Sequence, residues 1–343
     1  MMRKILLTLV GLIFTISLVA CERGLINDKE HYETIELTHN VSKFVKKDGD
    51  TEVYEKTLVT EEFYINPKKV LTFSYGVADT LNFLGLEDLG IEKFGLPKGS
   101  SLPKLLSVFN DKKYEDVGTL FKPNYDVIEL INPDLIILDG RSANEYEKIK
   151  SKYPYINVLD ASLTTYTIDA QVKLFDNLSK IFTNAKVKLS NKIIEFKNSF
   201  LEINEESNNF NAMFLQLNGK AVSVGIGKTG RYGLIFNEFG FLESDENGSI
   251  YNENNHGAKE VAIEYIAEVN PEVIFIMDRN LISENQASDR SFLKDPLLSN
   301  VEAIKAEYVY DLDVESWYTV TGGVNATTQM ISDIYKFVQT ITG

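Results

Sequence analysis

Arg141 and Arg279 each close one copy of the same short pattern. DVIELINPDLIILDGR, Asp126 to Arg141, aligns without gaps to EYIAEVNPEVIFIMDR, Glu264 to Arg279, at an offset of 138 positions. A planar, permanently charged fork just past a strand's C-terminal end is a recognition group for an anion, because it can hold two oxygens at once. That edge of a parallel sheet is also where open α/β proteins bind ligands. The chain carries 50 acidic against 35 basic residues, net −15, so an arginine repeated at a sheet edge marks a place where negative charge is wanted. The same imbalance argues against nucleic acid, whose phosphates need a basic footprint.

A second candidate is VSVGIGKTGRYG, Val222 to Gly233, with glycines at G-x-G-x-x-G spacing and a Gly-Lys-Thr triplet. A phosphate loop needs glycine five positions before its Gly-Lys pair, and that position is Val222. A dinucleotide site would need a cytoplasmic cofactor, whereas the N-terminus reads as an export signal. The glycines keep the capacity to turn sharply and let backbone approach a ligand. Enzyme chemistry finds little support: there are three histidines and one cysteine, and neither G-x-S-x-G nor H-E-x-x-H occurs. A zinc- or manganese-type binder would want clustered His and carboxylates that the chain does not supply.

The elements that must position these residues follow from the repeat. Val127, Ile128 and Ile131 share one helical face, Pro133 stops the helix, and LIIL and VIFI are apolar runs of buried parallel strands. A looser echo pairs VLTFSYGVADTLNFLGL (Val70 to Leu86) with AVSVGIGKTGRYGLIFNEFGF (Ala221 to Phe241), each read as strand, glycine-bearing loop and helix. Gly85 and Gly240 stand at the helix ends. Between these halves, Asn184 to Ser207 has apolar residues at helical spacing with Thr183 placed as N-cap, a helix about 30 Å long. The expected fold is α/β: two lobes, each with a short mainly parallel sheet flanked by helices, joined by one long helix.

Arg3 and Lys4 precede an apolar run from Ile5 to Ala20 that closes on Leu-Val-Ala-Cys, the pattern of a signal peptide too short to be a stable membrane span. Cys21 sits where a lipobox places the lipidated residue, and a lone cysteine can form no internal disulfide. The expected organisation is signal peptide 1–20, lipidated tether and N-terminal strands 21–66, N-terminal lobe 67–182, bridging helix 183–207 and C-terminal lobe 208–343. Within the tether region, YETIELTHNV and TEVYEKTLVT alternate as strands do. His31 and His39 are expected there as solvated surface residues.

From about Asn66 onward the chain resembles the substrate-binding lipoproteins of iron(III)-siderophore ABC importers, a class with a helical backbone between its lobes (the class III periplasmic-binding-protein fold). The lipobox, the twin lobes and the run VGTLFKPNYDVIELINPDLIILDGR carry the resemblance. GLPKGSSLPKLL, GKTGRYG, NNHG, MDRN and SWYTVTGG are most similar to the catecholate binders of the enterochelin and petrobactin type. The resemblance implies a ferric catecholate siderophore as ligand, with no intrinsic cofactor, held between lobes by Arg141, Arg231 and Arg279. Each arginine could instead simply pair with a neighbouring acid, such as Asp139 or Asp278.

The resemblance also matches His256 and Tyr318 to a pair that ligates the siderophore's ferric iron when coordination positions are open; with a ligand that fills all six, they would be donors or spectators. Trp317 is either an aromatic wall for catechol rings or a packing residue. Tyr75 and Lys98 are weaker candidates at the first lobe's cleft edge. Asp126 and Glu264 open the duplicated helices, where the helix dipole alone favours a carboxylate; in the family, equivalent acids dock on the two-fold permease dimer. The partners implied are the siderophore, the permease with its ATPase, and the membrane through the lipid anchor, for a monomer on the extracytoplasmic face, a Gram-positive surface being favoured. The alternatives are a haem or cobalamin binder on the same fold, which the arginine trio argues against, and an exported enzyme.

Overall fold

The alternating segments near the N-terminus pair as an antiparallel hairpin, β1 (Thr34–Asp48) and β2 (Thr51–Tyr64). Gly49, at φ 62, takes the first central position of its two-residue turn, which few side chains could occupy. A computed structural model describes residues 32–99, 102–163, 165–225, 227–245 and 258–343. The signal peptide, Cys21, His31 and the whole of NNHG with His256 lie outside the described residues. Both segments expected as strands within 21–66 form strands. His39, expected on the surface, is 4% exposed. It packs edge-on against Phe63 and Tyr146, because alternation along β1 turns it toward the lobe.

The first lobe continues through β3 (Lys69–Thr72), α1 (Tyr75–Leu84), β4 (Lys93–Leu96), β5 (Glu115–Asp116), α2 (Tyr125–Ile131), β6 (Leu135–Leu138), α3 (Tyr146–Lys152), β7 (Asn157–Asp160) and α4 (Ile168–Ile181). Its five strands, in the order β5-β4-β3-β6-β7, are all parallel. Ser74 and Thr167 cap α1 and α4 through their hydroxyls, interactions of about 1 kcal/mol each.

The joining helix is α5 (Lys186–Ser207), 22 residues long and packed against α4 and against the C-terminal helix. Thr183 is not its N-cap. A single 3-10 turn, Thr183–Ala185, comes first, and Thr183 is instead clasped by Asn66, whose side chain bonds both its amide and its hydroxyl.

The second lobe contains β8 (Asn211–Asn218), β9 (Ala221–Gly225), α6 (Leu234–Asn237), β10 (Leu242–Glu243), β11 (Ala258–Glu260), α7 (Ile263–Val269), β12 (Val273–Asp278), α8 (Asn280–Ser283), α9 (Glu302–Lys305), β13 (Val309–Asp311) and α10 (Val324–Thr342). Its sheet runs β11-β9-β8-β12-β13, with β10 on β8. The strong repeat is structural: α2 and α7, and β6 and β12, begin 138 positions apart. Both helices end on an asparagine in the left-handed region, Asn132 (φ 50) and Asn270 (φ 51), just before proline. The looser echo is corrected. Next to β12, the place that β3 holds next to β6 is taken by β8, while β9 is its antiparallel hairpin partner.

One apolar cluster runs through both lobes and α5, and two smaller ones cover the outer faces of the sheets. Polar clamps also cross between lobes. The buried Asp79 of α1 accepts from the amides of Asn325 (2.7 Å) and Ala326 (3.1 Å) and from the Asn325 side chain (2.8 Å), capping α10. Gln171 of α4 donates to the Gly322 carbonyl and to Thr327. Gly76 faces the Thr321 carbonyl so closely that a Cβ there would stand 2.5 Å from it. No described helix is long and apolar enough to cross a membrane.

Candidate functional site

The C-terminal ends of the parallel strands and the start of α10 meet around a cavity of about 200 Å³. From the first lobe it is lined by Ser74 and Gly76 ahead of and within α1, Asp139 to Arg141 after β6, and Ala161 to Leu163 with Tyr166 after β7. The second lobe contributes Arg231, Thr319, Thr321 and Gly322. Arg141 and Arg231 thus face one space from opposite lobes. Among the described residues neither is within ion-pair distance of a carboxylate, and the same holds for Arg279; the Asp278 carboxylate is occupied by Ser288 and approached by Arg290.

Arg231 is held by its neighbours rather than by an acid. Its Nη2 donates to the Tyr318 carbonyl, and its guanidinium lies 4.6 Å from the Tyr318 ring centroid and 6.0 Å from that of Tyr166. Arg279 approaches the Tyr318 ring at 5.2 Å, so this phenol stands between two cations. A π-helical turn, Glu315–Thr319, presents Tyr318; such turns recur at functional sites. Arg231 Nε and Thr319 Oγ1 are buried and have no hydrogen-bond partner among the described residues. Both residues line the cavity, so a ligand acceptor there would satisfy a donor that otherwise costs about 1–3 kcal/mol.

In the glycine loop, the Lys228 amide donates to the Glu243 carboxylate, and Gly227 lies against that carboxylate so closely that a Cβ would collide with it. Tyr232, stacked on Phe214 at 3.8 Å and donating to Gln216, anchors the residue after Arg231 in the core. The loop is therefore built to aim Arg231.

Other candidates stand elsewhere. Trp317 is 1% exposed, with Nε1 donating to the buried Asp333 at 3.1 Å, and it takes the packing role rather than forming a cleft wall. Tyr75 is also turned inward: its hydroxyl donates to the Pro97 carbonyl at 2.8 Å, and burial pushes it up to about 12, with Arg141 opposing. Lys98 extends to the Asp111 carbonyl and is not in the cavity wall. Tyr318 and Arg279 are not in the cavity wall either: Tyr318 stands behind Arg231, and Arg279 meets it there through the Tyr318 ring. Asp126 and Glu264 are exposed in the first turns of α2 and α7.

The wall residues that the sequence did not point to are Ser74, Ser162 and Tyr166, and Asp139, considered only as a partner for Arg141, also proves to be in the wall. The signal that could have found Ser162 and Tyr166 is the strand-end rule applied to β7, neighbour of β6. A larger groove of about 540 Å³ lies behind the Ala161–Leu163 wall, between the hairpin and α4. Among its carboxylates, Asp160, Asp169 and Asp176 are each paired with a lysine.

Comparison with known proteins agrees with this architecture. A family model described as periplasmic binding protein matches residues 70–315. The petrobactin-binding protein YclQ of Bacillus subtilis (strain 168) is 34% identical over 274 residues, 78% of this chain and 82% of its own. The crystal structure of that protein superposes with a TM-score of 0.68 at 29% identity, covering 87% of this chain and 98% of the other. The catecholate-siderophore binding protein VctP of Vibrio cholerae, at 24% identity, shares the fold with a TM-score of 0.70 over 81% of this chain and 96% of its own.

Proposed function

The chain belongs to the periplasmic binding protein family, and from that premise we propose that it captures a ferric catecholate-type siderophore in the interlobe cleft and delivers it to an ABC permease. The observation that carries this reading is the convergence of Arg141 and Arg231, from opposite lobes and unpaired with acids among the described residues, on one cavity in a chain of net charge −15. The site is smaller than the typical ligand pocket of about 300–1,000 Å³. It would therefore take part of a chelate and leave the rest toward solvent. Arg279 would add its charge behind Tyr318, and Tyr318, with His256, would complete the iron coordination of a ligand that leaves positions open.

The family is extracytoplasmic. The N-terminal letters support a lipid anchor at Cys21 after removal of residues 1–20, and the exposed, symmetry-related positions of Asp126 and Glu264 support docking of one acid per lobe on a two-fold permease. No chemical conversion is part of this role. The ferric siderophore is cargo, and the reading needs no resident cofactor.

Titration of intrinsic fluorescence with a ferric tris-catecholate and a ferric trihydroxamate tests the proposal. Selective sub-micromolar quenching by the catecholate is the expected result. Indifference to both complexes would refute it.

A further inference from the structure

The cavity that gathers two arginines also contains a carboxyl group, which an anion-binding site would be expected to exclude. Asp139 stands at the ligand-facing end of β6, two residues before Arg141, and lines the same cavity. Its Oδ1 accepts the Gly140 amide at 2.6 Å, and no cation lies within ion-pair distance of it among the described residues. The groups around it come from every neighbouring element: Arg141 on its own loop, the Ser74 hydroxyl at the start of α1, Asp160 at the end of β7, and Arg231 across the cavity. Asp160 is engaged by Lys56 and Ser162 rather than by Asp139.

We propose that Asp139 is a ligand-contacting residue that takes up a proton from solvent as an anionic complex enters the cleft and then donates a hydrogen bond to a ligand oxygen. The proposal rests on the reading of the cleft as a site for an anionic iron chelate. The balance is simple: carboxylate, solvent proton and anionic complex combine to give a bound complex beside a neutral carboxylic acid, with no bond in the ligand broken. As a carboxylate, Asp139 would repel the ligand and compete with it for Arg141. As an acid it is a donor, and the cavity then presents guanidinium, hydroxyl and carboxyl hydrogens to one cluster of oxygens. Burial already pushes the Asp139 carboxyl up, against the lowering effects of the Gly140 amide, Arg141 and Ser74. A negative ligand at contact distance moves it further in the same direction.

The test is calorimetric titration of the wild type and Asp139→Asn with the ferric complex of a synthetic tripodal tris-catecholamide, in buffers of different ionisation enthalpy from pH 6 to 8. The probe's own protonation is common to both proteins and cancels in the comparison. The wild type is expected to take up as much as one proton more than the variant, and its affinity should rise by up to tenfold for each unit of falling pH. Asp139→Asn, which keeps a donor without charge, should bind tighter than wild type at pH 8 and lose the excess proton uptake. Asp139→Ser serves the same comparison if the asparagine variant does not fold. Equal proton uptake by variant and wild type, both binding the probe, would overturn the role of Asp139 alone. Failure of the wild type to bind at all would overturn the siderophore reading on which it rests.

Discussion

Replacing Arg231 by alanine removes one charge from the second-lobe wall of the cavity. A ligand oxygen seated about 4 Å from a guanidinium interacts with it by about 1 kcal/mol in bulk water and about 4 kcal/mol at the effective dielectric near a protein surface. Loss of a buried, hydrogen-bonded charge partner in an interface costs about 2–5 kcal/mol. Arg231 is part-exposed, so the lower end applies: about 2 kcal/mol, or roughly a 30-fold rise in Kd at 25 °C. Isothermal titration with a ferric tris-catecholate measures this directly. The same variant titrated with an uncharged ferric trihydroxamate should change by less than threefold, because the charge term is absent. Arg231→Lys keeps the charge but not the fork that reaches the Tyr318 carbonyl, and should fall between wild type and alanine. A Kd for Arg231→Ala within threefold of wild type, in a protein that melts normally, would refute the reasoning.

Further expectations concern other parts of the molecule. Trp317→Phe removes a donor from the buried Asp333 and should cost about 2 kcal/mol of stability by chemical denaturation, leaving the affinity for a ferric catecholate unchanged by calorimetry. Tyr318→Phe keeps the ring beside the two guanidinia but removes the phenol oxygen. With a ferric bis-catecholate, which leaves coordination positions open, both it and His256→Ala should shift the catecholate-to-iron charge-transfer band from its wild-type position, and an unchanged band would remove these residues from iron coordination. Close approach of His39, with Tyr146 and Lys150 adding to it against the penalty of burial, holds the Glu61 carboxyl down at about 2, from an ordinary 4.5. A depressed carboxylate contributes stability that is present above the unfolded value and lost as pH falls through the folded one. The wild type should therefore lose stability between about pH 4.5 and 2 more steeply than Glu61→Gln, as read by denaturant midpoints across that range and by hydrogen exchange in β1 and β2.

Much of the fold is legible because its rules are local. The Asn-Pro units could be read as helix, turn and buried strand since each signal, an apolar face, a left-handed asparagine and a four-residue apolar run, acts within a few residues. The placement of β9 could not. Antiparallel pairing to β8 depends on a tight turn at Gly219 (φ 66) and on which neighbour fills the sheet, and a strand followed by a glycine loop reads the same in either direction. His39 was misplaced for a related reason. Alternation shows that one face of a strand is buried, but whether the histidine's face meets Phe63 and Tyr146 depends on where the hairpin docks.

At the site the division is similar. Arg141 at a strand end is a statement about neighbouring residues, and the repeat makes it visible. Trp317 and Tyr318 are adjacent letters, yet the first points into the core toward Asp333 and the second toward Arg231 and Arg279. The π-helical turn and the packing of α10 under Asp79 sort them, through contacts made across hundreds of residues.

By itself the sequence determined the α/β class, the duplicated strand-end arginines and the exclusion of a nucleotide from Val222 to Gly233, because these rest on spacing and charge. Only the tertiary structure decided which side chains share a cavity. It brought Arg141 and Arg231 together with Asp139 and Tyr166, and kept Tyr75, Lys98 and Trp317 out of the wall. The physical reason is that burial and proximity between lobes are properties of the packed interface, to which no short segment holds the key.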